Sequence, residues 1–459
     1  MKDNKYRVEK DSLGDVKVPK KALYGAQTQR AIDNFKISWQ RFDPIFIESL
    51  AALKASCAMA NHSSKLLSQK VAKSIYSSAL EIHKNIKDYY DEFPIDIYQT
   101  GSGTSTNMNM NEVLSNIVSK KIKKSIHPND DINKSQSSND VIPTTINICG
   151  VVLAEELCDA IDYMVISMIE KEWELRDVIK SGRTHLMDAV PLSLGYEIES
   201  WREQLVHAKE VVVFSKEELE FLPIGGTAIG TSLNAPKPFP KNVCSNLNKI
   251  YSSQNIKFKP NPNKSEMMSS QNHILSMNSA LLRIASTYTK ICNDLRWMNS
   301  GPISGLAEIS LKPLQPGSSI MPGKINPVIP EAVLMAMTQV SGHHSSTTSG
   351  CMSGNFQLNT MLPIIAHNLI DSFNLIINST FALVETINTF KVNKSNIKDN
   401  LEKNPIIATK LNEVIGYDQS AAIVKEAYKT NRSIIEIALE KTELSKSQLL
   451  KILDPKKLI

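Results

Sequence analysis

The stretch Leu153–Met168, LAEELCDAIDYMVISM, indicates the fold class more directly than any other part of the sequence. Within it, apolar side chains recur at steps of four, four, three and four residues, at Leu153, Leu157, Ile161, Met164 and Met168. This spacing keeps them on one face of a helix. The pattern therefore predicts an unusually long helix, which Gly182 ends.

A second stripe has the spacing of a heptad repeat, at Met277, Leu281, Ile284, Tyr288, Ile291 and Leu295. Long apolar helices need partners of similar length, and three segments supply them, near Pro191–Phe214, Pro327–Val340 and Leu362–Leu383. We therefore predict a mainly all-α protein whose central domain, residues 138–391, is an elongated bundle of long helices. An N-terminal, mostly helical domain (1–137) and a small Lys-rich helical domain (392–459) flank it. Stripes of this width favour burial against identical helices in a homo-oligomer.

The composition is that of a globular protein. With 459 residues and 42% hydrophobic side chains, the chain can bury a large core without disulfides or a structural metal. Its six cysteines are scattered without CxxC spacing, which predicts buried thiols in helices rather than a zinc site or a disulfide framework. No apolar run approaches the roughly 20 residues that span a bilayer, so we expect no membrane insertion.

The charge balance bears on partners and location. The 52 basic and 47 acidic residues leave a formal net charge of +5, which does not favour binding of nucleic acid. The charged start of the chain, MKDNKYRVEKDSLGD, has no apolar core of the kind that a secretory signal needs. We therefore expect a cytoplasmic protein.

Two polar segments in the first third of the chain suit the binding of an anion. Thr100–Thr104, TGSGT, offers hydroxyls and unobstructed backbone N–H groups, although an ordinary Gly-Ser turn explains it equally well. Ser137–Asp140, SSND, immediately precedes a helical run, and donors at a helix N-terminus attract an anion. Capping of that helix by Asn139 or Asp140 is the alternative explanation.

Two further polar segments lie between or before long helices. Gly182–His185, GRTH, falls in the connection between two of them, where a lone histidine is more often structural than catalytic. Gly317–Pro327, GSSIMPGKINP, places two hydroxyls and an ammonium in a small, bendable loop that is suited to closing over an anion. Asn326 and Pro327 then predict the N-cap and first residue of a helix, with Glu331 just inside it.

The pair His343-His344 superficially suggests a metal site. Adjacent residues of a helix point apart, however, so we predict no metal there. The Gly-rich segment Thr100–Thr104 lacks the Gly-Lys-Thr/Ser ending of a phosphate-binding loop, and no other cofactor motif occurs. We therefore expect a protein without metal or cofactor.

Four motifs resemble those of the aspartase/fumarase superfamily, and specifically of class II fumarases. They are HPNDDINKSQSSNDVIPT (His127–Thr144), GRTHLMDAVPLSLG (Gly182–Gly195), GGTAIGTSLN (Gly225–Asn234) and GSSIMPGKINP. The likeness covers nearly the whole chain, from Glu9–Arg30 to Ile415–Ala422. The resemblance implies a three-domain, nearly all-α homotetramer with a multi-helix core, in which each active site collects segments from three subunits. It also implies a small dicarboxylate substrate, fumarate or L-malate.

The resemblance further implies roles for individual residues. Ser318 matches the base that removes a C–H proton, and His185, paired with Glu331, matches the group that activates water. Lys324 and Asn326 would stabilise the charge that grows on the substrate carboxylate. Residues of the substrate-binding set are Ser102, Gly103, Thr104, Ser137, Ser138, Asn139, Thr184, Ser319, Lys324, Ile325 and Asn326. An accessory anion site would comprise Lys124, His127, Pro128, Asn129 and Asp130.

The chain departs from the family pattern at three places. Lys124 stands where arginine is usual, which would remove bidentate carboxylate binding. Met187 replaces a glutamine, and Ser265 replaces an aromatic residue. Two alternative functions stay open at this point: aspartate ammonia-lyase activity, and a non-catalytic structural or binding role. Gly323 before the loop lysine and the segment KSQSSND favour the fumarase type over the aspartase type.

Overall fold

Helices dominate the computed structural model, which describes residues 5–430 and 432–454 of the chain. The α-helices are α1 Ala26–Asn34, α2 Pro44–Ser63, α3 Gln69–Lys84, α4 Ile86–Tyr89, α5 Thr104–Ile122, α6 Ser138–Leu175, α7 Leu194–Leu219, α8 Phe239–Ile250, α9 Lys264–Ser269, α10 Asn272–Met298, α11 Val328–Cys351, α12 Leu362–Thr389, α13 Lys394–Lys403, α14 Asn412–Ile415, α15 Tyr417–Thr430, α16 Ile434–Lys441 and α17 Lys446–Ile452. Short 3-10 segments cover Tyr90–Glu92 and Pro405–Leu411, and a π-helical turn covers Pro128–Ile132. The predicted mainly α-helical fold class is confirmed.

The strands are short and pair two by two. They are β1 Tyr6–Asp11, β2 Gly14–Pro19, β3 Ile179–Thr184, β4 Met187–Ser193, β5 Phe221–Leu222, β6 Lys259–Pro260, β7 Ile309–Ser310, β8 Gly354–Asn355, β9 Leu358–Asn359 and β10 Lys391–Val392. Pairing is antiparallel for β1–β2, β3–β4, β7–β10 and β8–β9, and parallel for β5–β6. Because none of these pairs extends into a larger sheet within the described residues, the core is built from helices.

Both predicted apolar stripes are buried in long helices. Helix α6 has 38 residues and α10 has 27, and every stripe residue in them is at most 2% exposed. Hydrogen bonds join these helices to their neighbours, such as that from Trp201 Nε1 of α7 to Asp294 of α10 (3.0 Å). The hydroxyls of Tyr288 in α10 and Thr380 in α12 lie 2.6 Å apart. The predicted bundle of long helices is thus confirmed.

The predicted end of the first long helix is wrong. Helix α6 ends at Leu175, and the chain then forms the β3–β4 hairpin before α7 begins at Leu194. Gly182 lies at an irregularity in this hairpin between Ser181 and Arg183. A Cβ atom on Gly182 would lie 2.6 Å from the carbonyl oxygen of Val190, so the glycine allows the two strands to approach.

Chain contacts divide the described residues into two compact units. The first comprises the residues up to Asp159 together with Lys209–Ala285 and Thr338–Ile377. In it, α2 packs on α3 and α8, and α3 packs on α5. Asp43 caps α2 by accepting a hydrogen bond from the N–H of Ile45 (3.0 Å). The borders predicted for three domains, at residues 137 and 391, stay a prediction.

The second unit comprises Ala160–Ala208, Ser286–Met337 and the described residues from Asn378 onward. Its last part is a small helical cluster with its own core, formed by Ala408, Leu411, Ile423, Ile434, Ile437 and Leu449, among others. Helices α16 and α17 in this cluster each begin with a capping box, from Ser433 with Glu436 and from Ser445 with Gln448. Helix α13 packs against strand β3. The small C-terminal helical region therefore adjoins the hairpin.

Most of the apolar surface of α6 and most of the cysteine thiols are buried inside the fold. Within the described residues, α6 is long and apolar enough to cross a membrane, but 78% of its most apolar window is buried inside the fold. All six cysteines lie in helices without a disulfide, and all but Cys158 are buried, as predicted. The predicted cytoplasmic location stays a prediction.

Candidate active site

The two predicted anion-binding segments of the first unit lie side by side at helix N-termini. Ser102–Thr104 leads into α5, and Ser137–Asn139 leads into α6. Asn107 on α5 donates through Nδ2 to Ser138 Oγ (2.9 Å). A Cβ atom on Gly103 would lie 2.9 Å from the side chain of Ile142 on α6, so the two helix starts are in close contact. Two helix N-termini in such close contact favour a bound carboxylate.

The conformation of the first segment depends on its glycines. Gly103 caps α5 in the left-handed conformation, with φ 71°. A Cβ atom on Gly101 would lie 2.0 Å from the backbone oxygen of Thr360, so no larger residue fits there without movement. The hydroxyls of Ser102 and Thr104 are 2.9 Å apart, which places two polar groups together at the helix start.

Helix α6 is capped by a residue other than the two predicted from sequence. Ser137 Oγ accepts a hydrogen bond from the N–H of Asn139 (3.3 Å), so Ser137 is the N-cap. Asp140 reaches back and accepts from the N–H of Ser137 (2.9 Å), as the third residue of a capping box does. The proposed capping by Asn139 is therefore wrong, whereas Asp140 takes part in the cap from within the first turn and is not the N-cap residue. Asn139 is free to donate through Nδ2 to the carbonyl oxygen of Ala228 (2.9 Å).

The loop Gly317–Pro327 of the second unit is held closed on itself. The N–H of Gly317 donates to the carbonyl oxygen of Lys324 (2.9 Å). Asn326 donates through Nδ2 to the carbonyl oxygen of Gly317 and accepts from Lys324 Nζ, both at 2.8 Å. A Cβ atom on Gly317 would lie 2.3 Å from the oxygen of Lys324, which explains the glycine. The side chain of Asn326 thus braces the loop and does not cap α11, which begins at Val328, one residue later than predicted.

Ser318 has the surroundings that a basic hydroxyl group needs. Its Oγ accepts hydrogen bonds from the N–H groups of Ile320 (3.2 Å) and Met321 (3.1 Å). Two donors aimed at one oxygen stabilise negative charge on it. Ser319 and Ile325 are exposed on the same loop.

A cavity of about 1140 Å³ adjoins this loop, and Lys324, Asn326 and Glu331 line it. The other charged residues of its described lining are Arg296, Lys312 and Lys391. Four basic groups therefore face the one carboxylate of Glu331, a balance that suits a dianionic ligand. Lys312 is partly compensated by an ion pair with Glu385 (2.9 Å), whose carboxylate lies outside the lining.

Thr184 and His185 lie at the tip of the β3–β4 hairpin. Thr184 pairs with Met187, which leaves His185 and Leu186 as a two-residue turn. Both have positive φ, 55° and 59°, as in a type I′ turn, where Asn-Gly is the usual sequence. A leucine in this conformation is strained, and such strain concentrates at functional sites. The turn exposes the imidazole of His185 to solvent.

A buried charge network supports this hairpin, and sequence reasoning missed it. Lys180 Nζ on β3 contacts Glu197 (2.7 Å) and Glu308 (2.8 Å), and Arg183 contacts the second oxygen of Glu308 (2.8 Å). The side chains of Lys180 and Glu308 are 3% and 2% exposed. Because Glu308 lies more than 100 residues from β3 in the chain, no local pattern could have revealed the network. It joins the hairpin to the segment between α10 and the Gly317–Pro327 loop.

The accessory segment around His127 is exposed and folded on itself. His127 Nδ1 accepts from the N–H groups of Asn129 (3.3 Å) and Asp130 (3.1 Å), at the start of the π-helical turn Pro128–Ile132. Lys124 is exposed beside it in sequence, in the turn that follows α5. No ligand contact tests this predicted anion site, which stays a prediction.

The pair His343-His344 lies within α11. His343 is buried, and its Nε2 lies 2.8 Å from Gln339 Nε2 and 3.6 Å from Asp371. Among the described residues, no group of three or more His, Cys, Asp or Glu side chains is arranged to hold a metal ion.

The structure thus gathers the predicted site residues into separate groups. Ser102, Gly103 and Thr104 lie beside Ser137, Ser138 and Asn139 in the first unit. Ser318, Lys324, Asn326 and Glu331 lie on or beside one loop of the second unit. Thr184 and His185 form a third group at the hairpin tip and do not line the cavity that Lys324 faces. Each group alone is an incomplete catalytic site.

Comparisons with known proteins give one consistent result. A family model described as lyase matches residues 14–342, and one described as fumarase C C-terminus matches residues 407–459. A fumarate hydratase class II of Xylella fastidiosa is 44% identical over 98% of this chain and 95% of its own length. A fumarate hydratase class II of Pseudomonas aeruginosa is 42% identical over 98% of both chains. The crystal structure of class II fumarase from Schistosoma mansoni has a TM-score of 0.93 and 33% identity over 99% of both chains.

Proposed function

The chain belongs to the lyase family of the class II fumarate hydratases, and we propose that it catalyses the reversible hydration of fumarate to L-malate. The observation that carries the proposal is the Gly317–Pro327 loop. It combines a hydroxyl that accepts two backbone hydrogen bonds with an ammonium and an amide 2.8 Å apart. These are the groups that proton removal next to a carboxylate requires.

Dehydration of L-malate begins with loss of a weakly acidic C–H proton. The electron pair moves onto the neighbouring carboxylate, which becomes a doubly charged aci-carboxylate. Lys324 and Asn326 face this carboxylate and stabilise the added charge. Removing one such preorganised contact raises the barrier by about 3 kcal/mol.

Ser318 is the base in this scheme. A serine hydroxyl removes a carbon-bound proton only as its alkoxide, which needs compensation of its charge. The N–H groups of Ile320 and Met321 supply part of that compensation, since both already point at Oγ. The ammonium of Lys324 supplies a positive charge on the same loop.

His185 and Glu331 activate the water molecule in this scheme. In hydration the imidazole takes a proton from water, and in dehydration it gives a proton to the departing hydroxyl. The carboxylate of Glu331 orients the ring and fixes its tautomer. Both side chains are accessible, His185 at the hairpin tip and Glu331 at the cavity wall.

The remaining predicted residues bind the substrate carboxylates. Thr104, Asn139 and Thr184 contribute side chains, and the segments Ser102–Thr104 and Ser137–Asn139 contribute N–H groups at adjacent helix starts. Their placement on separate segments lets one dicarboxylate be held at both ends.

The active enzyme is a homotetramer in which these groups come from three subunits. An exposed apolar row on α6 supports the assembly: Tyr163, Ile166, Ile169 and Trp173 are 39–63% exposed in the single chain. Apolar rows of this kind on a core helix are covered in oligomers.

Ultraviolet absorbance of fumarate tests the proposal. Purified protein should deplete fumarate in buffer alone until equilibrium with L-malate is reached. Depletion that needs ammonium would instead assign aspartate ammonia-lyase activity. Constant absorbance under both conditions would assign a non-catalytic role.

A further inference from the structure

Asp140 joins two segments that are distant in the chain. Its side chain is fully buried. One carboxylate oxygen accepts from the N–H of Ser137 (2.9 Å), and the other accepts from the N–H groups of Gly225 and Thr227 (both 2.9 Å). The carboxylate therefore ties the first turn of α6 to the Gly225–Asn234 segment, which has no role in the chemistry above.

The Gly225–Asn234 segment is shaped to make these contacts. Gly225 and Thr227 both have positive φ, 83° and 59°, which only a tightly turned backbone adopts. The carbonyl oxygen of Ala228 in the same turn accepts a hydrogen bond from Asn139 Nδ2 (2.9 Å). One loop thus holds both the acid at position 140 and the substrate-binding amide beside it.

A buried ammonium group holds the residues that precede Ser137. Lys54 on α2 is fully buried, and its Nζ donates to Asn133 Oδ1 and Gln136 Oε1, both at 2.9 Å. These residues lie four positions and one position before Ser137 in the chain. Asn107 then connects Asn133 Oδ1 (3.3 Å) to Ser138 Oγ (2.9 Å). The hydrogen bonds form a continuous network around Ser137–Asn139.

This network lowers the free energy of unfolding. Burial raises the pKa of Asp140 to about 7 and lowers the pKa of Lys54 to about 7. The two groups attract each other electrostatically but form no direct ion pair, so each relies on neutral partners. Buried charges of this kind destabilise a fold relative to apolar residues, and they cluster where function requires them.

We propose that Asp140, supported by Lys54, is a positioning residue that holds Ser137–Asn139 in the conformation that binds a substrate carboxylate. Asp140 does not touch the substrate and acts through the side chain of Asn139. The inference rests on the proposed hydration of fumarate, because it assigns a role within that site.

The variant Asp140→Asn tests the proposal most directly. An asparagine has one acceptor oxygen, so its NH2 group must face either Ser137 N–H or the N–H groups of Gly225 and Thr227. The segment loses part of its support, whereas the catalytic groups of the Gly317–Pro327 loop are untouched. We expect KM for fumarate to rise about tenfold, with kcat within about threefold of wild type.

Glu112→Gln is the matched control. Glu112 is a buried carboxylate that accepts hydrogen bonds from the N–H groups of Gly25, Gln27 and Thr28. These bonds stabilise the start of α1 and not a predicted substrate-binding segment. It lies eight residues from Thr104, about 12 Å along α5. This variant should lower the thermal midpoint without raising KM.

A double-mutant cycle separates positioning from general destabilisation. Asn139→Ala removes the side chain through which Asp140 acts. If Asp140 positions that residue, the KM of Asn139→Ala with Asp140→Asn stays within about twofold of the Asn139→Ala value. If the two effects on KM multiply, the proposal is overturned. If Asp140→Asn does not fold, Lys54→Met takes its place in the same cycle, with the same expected and contrary results.

The wild-type enzyme distinguishes failure of this inference from failure of the proposed function. An active wild type combined with unchanged KM in Asp140→Asn, or with a loss confined to kcat, overturns the positioning role alone. A wild-type protein that does not hydrate fumarate overturns the proposed function and this inference with it.

Discussion

Replacing Lys324 with methionine should slow the reaction by orders of magnitude. The substitution keeps the length of the side chain and removes its charge. Lys324 Nζ is exposed at the cavity wall and donates to Asn326 Oδ1 at 2.8 Å. In the proposed mechanism this ammonium faces the carboxylate whose charge grows. Loss of one such contact costs about 3 kcal/mol of barrier. At about 1.4 kcal/mol per tenfold change, kcat should fall by about 10²-fold or more.

Lys312→Met is the matched control for this variant. Lys312 lines the same cavity, but its ammonium already pairs with Glu385 at 2.9 Å. Initial rates of fumarate depletion at saturating substrate should therefore stay within about threefold of wild type. Size-exclusion chromatography should show the same assembly for both variants, because both side chains are exposed. Wild-type kcat in Lys324→Met, or an equal loss in Lys312→Met, would remove Lys324 from the mechanism.

Three further predictions concern other parts of the molecule. His185→Asn should lower kcat by about 10²-fold or more with little change in KM, as loss of a general acid–base does, and a selective rise in KM would contradict the assigned role. Gly101→Ala should destabilise the protein by about 1–3 kcal/mol in thermal or denaturant unfolding, because its Cβ would lie 2.0 Å from the oxygen of Thr360; an unchanged midpoint would refute the required close approach. Burial lowers the pKa of His273 to about 4 from 6.5, so the neutral ring contributes stability above pH 6.5 that is lost as pH falls toward 4. Urea unfolding at fixed protein concentration should show this loss, about 3 kcal/mol, in wild type but not in His273→Gln, and parallel pH profiles would count against it.

Sequence patterns predicted the bundle because its signal is local. The stripe from Leu153 to Met168 and that from Met277 to Leu295 repeat at helical spacing, and all of their residues are buried. The end of α6 was missed for a physical reason. Ile179–Ser193 lacks the alternation of a strand pair, and His185-Leu186 lacks the Asn-Gly signal of its turn. The hairpin is stabilised instead by ion pairs with Glu308, which are tertiary contacts.

Those parts of the candidate site that have a local sequence signal were also predictable. Glycines, hydroxyls and a lysine at helix starts indicated Ser102–Thr104, Ser137–Asn139 and the Gly317–Pro327 loop. The family resemblance that these motifs carried is confirmed by the close relatives. The second role of Asp140 could not be predicted, because its partners Gly225 and Thr227 are 85 and 87 residues away in the chain. The bracing role of Asn326 was likewise hidden, since its contact with Gly317 depends on the folded loop.

In the proposed mechanism, groups from different subunits meet in one dicarboxylate site, and mixed assemblies test this arrangement. Purified His185→Asn and Lys324→Met proteins, each nearly inactive, should be dissociated, mixed in equal amounts and reassembled. If the imidazole and the ammonium of a site come from different chains, about one quarter of the sites in the mixture contain both wild-type groups, and a corresponding part of the wild-type rate returns. If reassembled mixtures that have exchanged subunits stay as inactive as the separate variants, the shared site is contradicted.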